Sequence, residues 1–423
     1  MSVGIDFGTT NSVAATVSAD GEVRVVHHSP ERASSNFRSI LCFVKTGSRA
    51  GPMIVAGPEA MRAYLDHGSD CRLIQSVKSM AANPHFTATM IFGKRYTVEE
   101  LISWILRGLR ISAERDGVDL GSAVTAGRPV RFAGQFANEE LALARLTEAF
   151  GIAGFEKVGF VAEPLAAAYK FASRISEPQL CVIADFGGGT SDFSLVRFHP
   201  GGKGGKLAMD TLGTSGVGLA GDRLDFRIVE HAVCPKLGMG THYISMDKRL
   251  PIPSHYYARF QRWSDLSFLR APETLRELRT LKRMAEDPDG IDRLIYIIEE
   301  ELGFDLYQAV SAVKTKLSSD DSAVLEFKSG PVQIAETITR ADFDRWIAPD
   351  LAKIDAEVDV LFQEANIRLC DVHHVFMTGG TSFVPAIRGL MAARFPQAQF
   401  SAEDEFISVG AGLALYGLEN AAA

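Results

Sequence analysis

Apolar and polar positions fall into short apolar runs closed by glycine turns, alternating with longer stretches of helical period. Val3-Gly4-Ile5 leads into Asp6-Phe7-Gly8-Thr9-Thr10-Asn11-Ser12, and Val13 to Val17 leads out. Leu180 to Ala184 leads in the same way into Asp185-Phe186-Gly187-Gly188-Gly189-Thr190-Ser191-Asp192, and Phe193 to Phe198 leads out. Each reads as strand, tight turn, strand. Further strands are predicted at Glu22 to Val26, Ser39 to Val44, Ser122 to Arg128, Val158 to Val161, Lys206 to Leu212, Ser322 to Phe327, Val332 to Ile338 and Val372 to Met377. Helical patterns cover Gly57 to Asp66, Phe136 to Phe150, Glu163 to Ala172, Asp222 to Val233, Thr274 to Ala285, Ile291 to Leu302, Leu306 to Leu317, Thr339 to Asn366, Pro385 to Phe395 and Glu403 to Leu418. Thr97 and Glu100 form a capping-box pattern for another helix, through Leu101, Ile105 and Leu109. Strands alternating with helices predict α/β layers.

The turns carry candidate chemistry. Three successive glycines allow positive φ and bring backbone N–H groups close to an anion. A chain holding the same hairpin twice is expected to fold as two related lobes that clasp one ligand. Thr378-Gly379-Gly380-Thr381-Ser382 is a third strand–glycine–helix switch. Gly216-Val217-Gly218-Leu219-Ala220-Gly221 matches G-x-G-x-x-G ahead of a helix. No second strand ending in Asp or Glu follows at the expected distance, which argues against a Rossmann dinucleotide site and leaves a phosphate-facing turn or a plain tight turn. Lys78 closes an apolar segment; alone it reads as a surface lysine or a phosphate contact. Residues 240–310 mix aromatics with arginines, but the acidic run Glu299-Glu300-Glu301 favours a structural helical subdomain over an RNA site. Glu163 to Ala172 and Glu403 to Leu418 both present small residues, as two helices crossing closely at a hinge would.

Composition narrows the class. With 423 residues, 46% of them hydrophobic, the chain can bury a large core across two or three domains. A net charge of −8 and a pI near 5.7 give no whole-chain reason to expect nucleic acid. Cys42, Cys71, Cys181, Cys234 and Cys370 are scattered, which favours reduced thiols over disulfides or zinc. The first strand begins at Val3, leaving no room for a signal peptide, and no apolar run approaches the roughly 18 residues of a membrane span. A cytoplasmic location is expected.

Taken together, the first hairpin, Glu163-Pro164-Leu165-Ala166-Ala167-Ala168, the second hairpin and Thr378 to Ser382 resemble the ATPase domain of DnaK-type heat-shock chaperones. That domain belongs to the actin, chaperone and sugar-kinase superfamily, and the motifs stand in its order along nearly the whole chain. The length and middle segment look most like the YegD subgroup of chaperone-like proteins. The resemblance implies an α/β actin-like fold of two lobes, each with a mixed sheet flanked by helices. Lobe I is expected at 1–174, with 403–423 returning to it, and lobe II at 175–402, with a helical subdomain at about 235–320. It implies ATP or ADP with Mg²⁺ in the cleft. Asp6 and Asp185 would hold Mg²⁺ through its waters. Gly8, Thr9, Thr10, Asn11 and the backbone of Gly187, Gly188, Gly189 and Thr190 would cradle phosphates. Lys78 matches the family's phosphate-contacting lysine; Glu163 and Asp192 match the carboxylates that orient the attacking water. Gly218, Gly221, Lys314, Ser318, Gly379, Gly380, Ser382 and Asp404 match positions around the nucleotide.

The chain departs from that pattern at Ser311 and Thr315, where the family packs an acidic residue and an arginine on adenine. It departs also at Leu219-Ala220-Gly221-Asp222, where the family has Gly-Gly-Glu-Asp. No linker or β-sandwich peptide-binding domain follows the last helix, so a chaperone-like protein without that domain is expected. Slow ATP hydrolysis coupled to lobe closure and a protein partner is the function implied. A small-molecule kinase of the sugar type, recognisable by substrate-stimulated ATP consumption, is one alternative. A nucleotide-gated scaffold or filament, recognisable by light scattering, is another.

Overall fold

The computed structural model describes residues 1–28, 35–47, 51–67, 70–130, 132, 137–172, 175–200, 208–261, 263–401 and 405–421. The chain opens with β1 (Ser2–Phe7), β2 (Asn11–Val17), β3 (Val23–Val25) and the two-residue β4 (Phe37–Arg38). A small sheet of β5 (Leu41–Val44), β6 (Met53–Ala56) and β7 (Cys71–Ile74) follows, with α1 (Pro58–His67) packed on it. Then come the hairpin β8 (Ala88–Ile91) and β9 (Lys94–Thr97), α2 (Val98–Arg115), β10 (Ala123–Arg128), α3 (Glu139–Ile152), β11 (Lys157–Ala162), α4 (Glu163–Ala167) and α5 (Tyr169–Ala172). The second half holds β12 (Gln179–Phe186), β13 (Ser191–His199), β14 (Ala208–Val217) and α6 (Gly221–Ile228). It continues through β15 (His242–Ser245), β16 (Lys248–Pro251), α7 (His255–Ala258), α8 (Pro272–Met284), α9 (Pro288–Glu299) and α10 (Gly303–Leu317). It ends with β17 (Ser322–Ser329), β18 (Val332–Thr339), α11 (Arg340–Ala365), β19 (His374–Thr378), α12 (Pro385–Arg394), β20 (Gln399–Ser401) and α13 (Glu405–Ala421).

The repeated hairpin turns out to be part of a repeated sheet. In the first half the strand order is β11-β10-β1-β2-β3, and in the second it is β14-β13-β12-β19-β20. Read from the outer hairpin strand inward, β3-β2-β1 and β14-β13-β12 are antiparallel. The next two strands, β10-β11 and β19-β20, are parallel in both. Each Asp-bearing hairpin therefore occupies the centre of its sheet, with Asp6 paired to Val13 and Asp185 to Asp192. The fold is the two-lobed α/β arrangement of actin-like ATPases.

Burial explains why these segments hold. β1 and β2 bury Val3, Ile5, Phe7, Val13, Ala14, Ala15 and Val17, as central strands covered on both faces do. On α2, Leu101, Ile102, Ile105, Leu106 and Leu109 form one buried stripe; each large apolar side chain is worth about 1.5–3 kcal/mol. Thr97 accepts from Glu100 N while Glu100 reaches back to Thr97 N, the reciprocal cap expected. Small residues let α13 lie almost on the backbone of its neighbours: a Cβ on Gly412 would stand 1.9 Å from Ala166 O, and one on Gly4 would stand 2.3 Å from Gly410 O.

Several boundaries differ from the sequence reading. The helix expected over Phe136 to Phe150 is α3, which starts at Glu139 under an Asn138 cap and includes Gly151 in its last turn. Glu163 to Ala172 is broken at Ala168 into α4 and α5. β14 runs on through Gly216 to Val217, so only 218–220 separate strand from helix. Beyond α6 the chain loosens into a π turn, Val229–Val233. The helical segment 240–310 also holds the hairpin β15–β16, turned at Met246 and Asp247 with φ of 49° and 56°. Non-glycine residues at such a turn give no glycine signal. All five cysteines are free thiols, and no described helix is long and apolar enough to cross a membrane.

Candidate functional site

The two central hairpins face each other. Gly8 must be glycine, because a Cβ there would lie 2.2 Å from Asn11 O. The turn it makes leaves the side chains of Thr9, Thr10 and Asn11 without a hydrogen bond from any described residue. Opposite, Gly187 N donates to Thr190 O at 2.9 Å, closing the second turn. The turns nearly touch: a Cβ on Gly188 would stand 3.1 Å from Thr10 Oγ1 and 3.4 Å from Asp222 Oδ1.

The floor between them is a cluster of four carboxylates and one ammonium. Lys78, on a single 3-10 turn Val77–Met80 after β7, is buried and pairs with Glu163 Oε1 at 2.7 Å. Asp6 is half-buried and accepts no hydrogen bond from a described residue. Burial, then the charges of Glu163 and Asp185, push its carboxyl up to about 7, against the pull of Lys78. Asp185 is pushed up to about 6 by burial, Glu163 and Asp192, although Thr378 Oγ1 donates to its Oδ1 at 3.0 Å. Asp192 is raised mainly by burial, against a hydrogen bond from Thr190 Oγ1 at 2.7 Å. For Lys78, burial alone would depress the ammonium, but Glu163, Asp6 and Asp185 outweigh it and raise it. Such a site carries more negative charge than Lys78 neutralises, while water still reaches its open side.

The remaining walls come from α6 and the third glycine switch. Gly221 N and Asp222 N donate to Gly187 O and Gly188 O at 3.2 and 2.7 Å, tying the start of α6 to the second turn. Thr381 Oγ1 donates to Gly187 O at 2.9 Å. A Cβ on Gly379, which has φ of 84°, would stand 2.2 Å from Phe186 O and 2.9 Å from Asp185 Oδ1. Lys314 is paired with Asp225 at 2.9 Å, and a Cβ on Gly221 would stand 3.3 Å from its Nζ.

Asp6, Gly8 to Asn11, Lys78, Glu163, Asp185, Gly187 to Thr190 and Asp192 are thus brought to one cleft, with Gly221, Lys314 and Gly379 at its edge. Gly218 is exposed, with nothing near it. Ser318 Oγ turns back to Lys314 O at 3.3 Å, Gly380 is exposed at the start of a 3-10 turn, and Ser382 is fully buried. Asp404 lies outside the described residues. At the expected adenine positions, Thr315 Oγ1 donates to Ser311 O at 2.8 Å, spending that hydroxyl on its own helix. Across the cleft rim, Tyr64 of α1 meets Trp263 edge-on at 5.5 Å, and Trp263 meets Phe304 of α10 at 5.3 Å.

Motif reading missed three contributors. Thr378 and Thr381 orient the second hairpin, and their place inside the third glycine switch was the available signal. Arg145, buried on α3, donates to the carbonyls of Met80, Ala81, Asn83 and Phe86 and pairs with Glu99, fixing the loop that follows Lys78. Nothing local in the sequence marks it.

Two comparisons with known proteins place this geometry. The family model described as "Hsp70 protein" matches residues 71–238 and 299–417, more than half the chain, and passes over 239–298. The "Chaperone protein DnaK" of Thermosipho africanus is 25% identical over 421 residues, covering 97% of this chain and 58% of that protein. That of Picrophilus torridus is 23% identical over 417 residues, covering 98% and 57%. The chain therefore spans a little under three-fifths of the length of these relatives. With the duplicated sheets and the hairpins that face each other across the cleft, these matches show that the chain belongs to the Hsp70 family.

Proposed function

We propose that the chain binds Mg-ATP in the cleft between the two sheets, hydrolyses it slowly, and uses the nucleotide to close the lobes and engage a protein partner. The observation that carries this is the convergence of two Asp-bearing glycine hairpins, one from each sheet, on a single buried Lys78–Glu163 pair. Phosphoryl transfer needs placed charge and an aligned water more than covalent chemistry. The free side chains of Thr9, Thr10 and Asn11 and the backbone of Gly187 to Thr190 supply donors to phosphate oxygens on both sides. Lys78, buried and held charged, supplies a fixed positive group.

The acidic floor fits a divalent cation. Among the described residues no three acidic, histidine or cysteine side chains stand together as a direct cage. Two half-buried carboxylates, Asp6 and Asp185, pushed up by burial and then by neighbouring negative charge, suit Mg²⁺, which keeps most of its waters. When bound, Mg²⁺ neutralises phosphate charge. Asp192 is the general base: burial raises its carboxyl above the ordinary carboxylate range, it is exposed to the cleft, and Thr190 fixes its orientation. Glu163 holds Lys78. Because the ligand's donors come from both lobes, its binding favours the closed arrangement.

Phosphate release and nucleotide binding should be measured on the wild type and Asp192→Asn. Turnover is expected to fall by roughly 100-fold, with Mg-ADP affinity within about threefold of wild type. An unchanged turnover would remove Asp192 from the mechanism.

A further inference from the structure

One arginine of the first hairpin's sheet, Arg38, has no hydrogen-bond or ion-pair partner among the described residues. β4 is only two residues long, and it pairs with β2 beside the first hairpin, with Arg38 opposite Asn11. Its neighbours fix its direction. Phe37 is in the core, and Ser39 is buried with its Oγ 2.8 Å from Ser12 Oγ. Alternation along an extended chain then turns Arg38 the other way, into the cleft. Ser39 N donates to Thr10 O at 2.9 Å, so this short strand is tied to the turn at Thr9 to Asn11. The Arg38 side chain is exposed and makes no hydrogen bond or ion pair with any described residue.

Its surroundings make this unusual. Asp222 and Asp225, at the start of α6 in the other lobe, lie close enough to act on its charge. Yet Asp225 is already paired with Lys314, and Lys78 is already paired with Glu163. Of Lys78, Lys314 and Arg38, Arg38 is the one that no described carboxylate holds, and it stands level with the turn whose Thr and Asn side chains are also unspent.

We infer that Arg38 is a phosphate-binding residue: its guanidinium takes the polyphosphate of the ligand from the first-lobe side, facing the backbone of Gly187 to Thr190. The inference rests on the nucleotide reading of the cleft. The chemistry is specific, because a guanidinium offers a planar fork of donors that two phosphate oxygens accept together, and it keeps its charge at any working pH. Lys78 reaches the cleft floor and Arg38 its mouth. A ligand with two or three phosphates meets both, whereas a nucleoside meets neither. The competing partner is Asp222, and the two readings differ in sign. If Arg38 bridges to Asp222, removing that carboxylate weakens closure. If Arg38 holds phosphate, removing a nearby negative charge leaves binding equal or tighter.

The test is calorimetric binding of Mg-ATP, Mg-ADP and adenosine to the full chain as wild type, Arg38→Ala, Arg38→Lys and Asp222→Asn. Arg38→Ala is expected to weaken both Mg-nucleotides by about 10- to 100-fold while leaving adenosine unchanged. Arg38→Lys should recover part of the loss, and Asp222→Asn should bind Mg-ADP as well as or better than wild type. Wild-type Mg-ADP affinity in Arg38→Ala overturns the inference, as does an equal loss in Asp222→Asn. Loss of adenosine binding in Arg38→Ala also overturns it, since the effect would then be structural. A wild type that binds none of the three overturns the nucleotide reading itself, and the role of Arg38 with it.

Discussion

Gly412→Ala sets two effects against each other. In the middle of a helix, alanine is preferred over glycine by about 1 kcal/mol, because glycine loses more backbone freedom on folding. At Gly412 that gain is overridden by geometry. The new methyl carbon would lie 1.9 Å from Ala166 O, where ordinary contact begins at 3.4 Å. The obstacle is backbone on a short helix, so it cannot swing aside. Helix α13 must instead retreat by roughly 1.5 Å, and a gap of that order forfeits more than about half of the dispersion energy of each contact it opens. Overpacking of this kind costs about 3 kcal/mol, net of the helix gain. For a unit the size of one lobe this lowers the unfolding midpoint by roughly 6–12 °C. The retreat withdraws support from α4, whose first residue is Glu163, so Lys78 loses its register and turnover is expected to fall as well. Gly389→Ala is the control, because Gly389 lies inside α12 with nothing within 4 Å of an added Cβ. It should stabilise by up to about 1 kcal/mol. The assay is thermal unfolding followed by circular dichroism. If Gly412→Ala matches or exceeds the wild-type midpoint, the close crossing of α13 on α4 is wrong.

Two further outcomes follow from the same structure. Because the Asp6 carboxyl is raised from 3.8 to about 7 on folding, the folded chain holds that proton more tightly than the unfolded chain, so stability is fully present at acid pH and is lost as pH rises through 7. In chelator, Asp6→Asn should therefore be more stable than wild type at about pH 8 and no more stable below about pH 4, by about 1–2 kcal/mol once water in the open cleft is discounted from the roughly 4 kcal/mol limit. Chemical denaturation at the two pH values decides, and a variant less stable at the higher pH refutes it. Tyr64→Ala removes an aromatic contact between the lobes worth about 0.5–1.5 kcal/mol beyond its buried area, so a fluorescent ADP analogue should leave about 2- to 10-fold faster in stopped flow. An unchanged release rate would mean that the rim contact does not restrain opening.

The most legible feature in the sequence was the repeated hairpin, because its Asp, Gly and Thr positions are contiguous and their chemistry is local. Two lobes with a mixed sheet each were expected, but which strands complete each sheet was not legible. β10 with β11, and β19 with β20, are brought beside the hairpins only by long crossovers. Lys78 could be read two ways from sequence, and its burial against Glu163, 85 residues later, removes the surface reading. The helical segment gave its helices through their apolar period, but hid β15–β16 because Met246 and Asp247 make the turn. Arg38 left no signal: a two-residue strand has no period, and a single arginine reads as surface. Arg145 was hidden for a related reason, since its partners are backbone carbonyls, which carry no residue identity. Ser311 and Thr315 marked a departure at the adenine end, and the structure adds that the Thr315 hydroxyl is spent within α10.

The central claim is that the two hairpins hold one nucleotide between them. A crystal structure of the chain with Mg-ADP tests it most directly. The account expects the phosphates between Thr9 to Asn11 and Gly187 to Thr190, with the metal's waters on Asp6 and Asp185 and with Arg38 turned onto the β-phosphate. A nucleotide bound elsewhere on the chain, or a cleft left empty at saturating Mg-ADP, would contradict it.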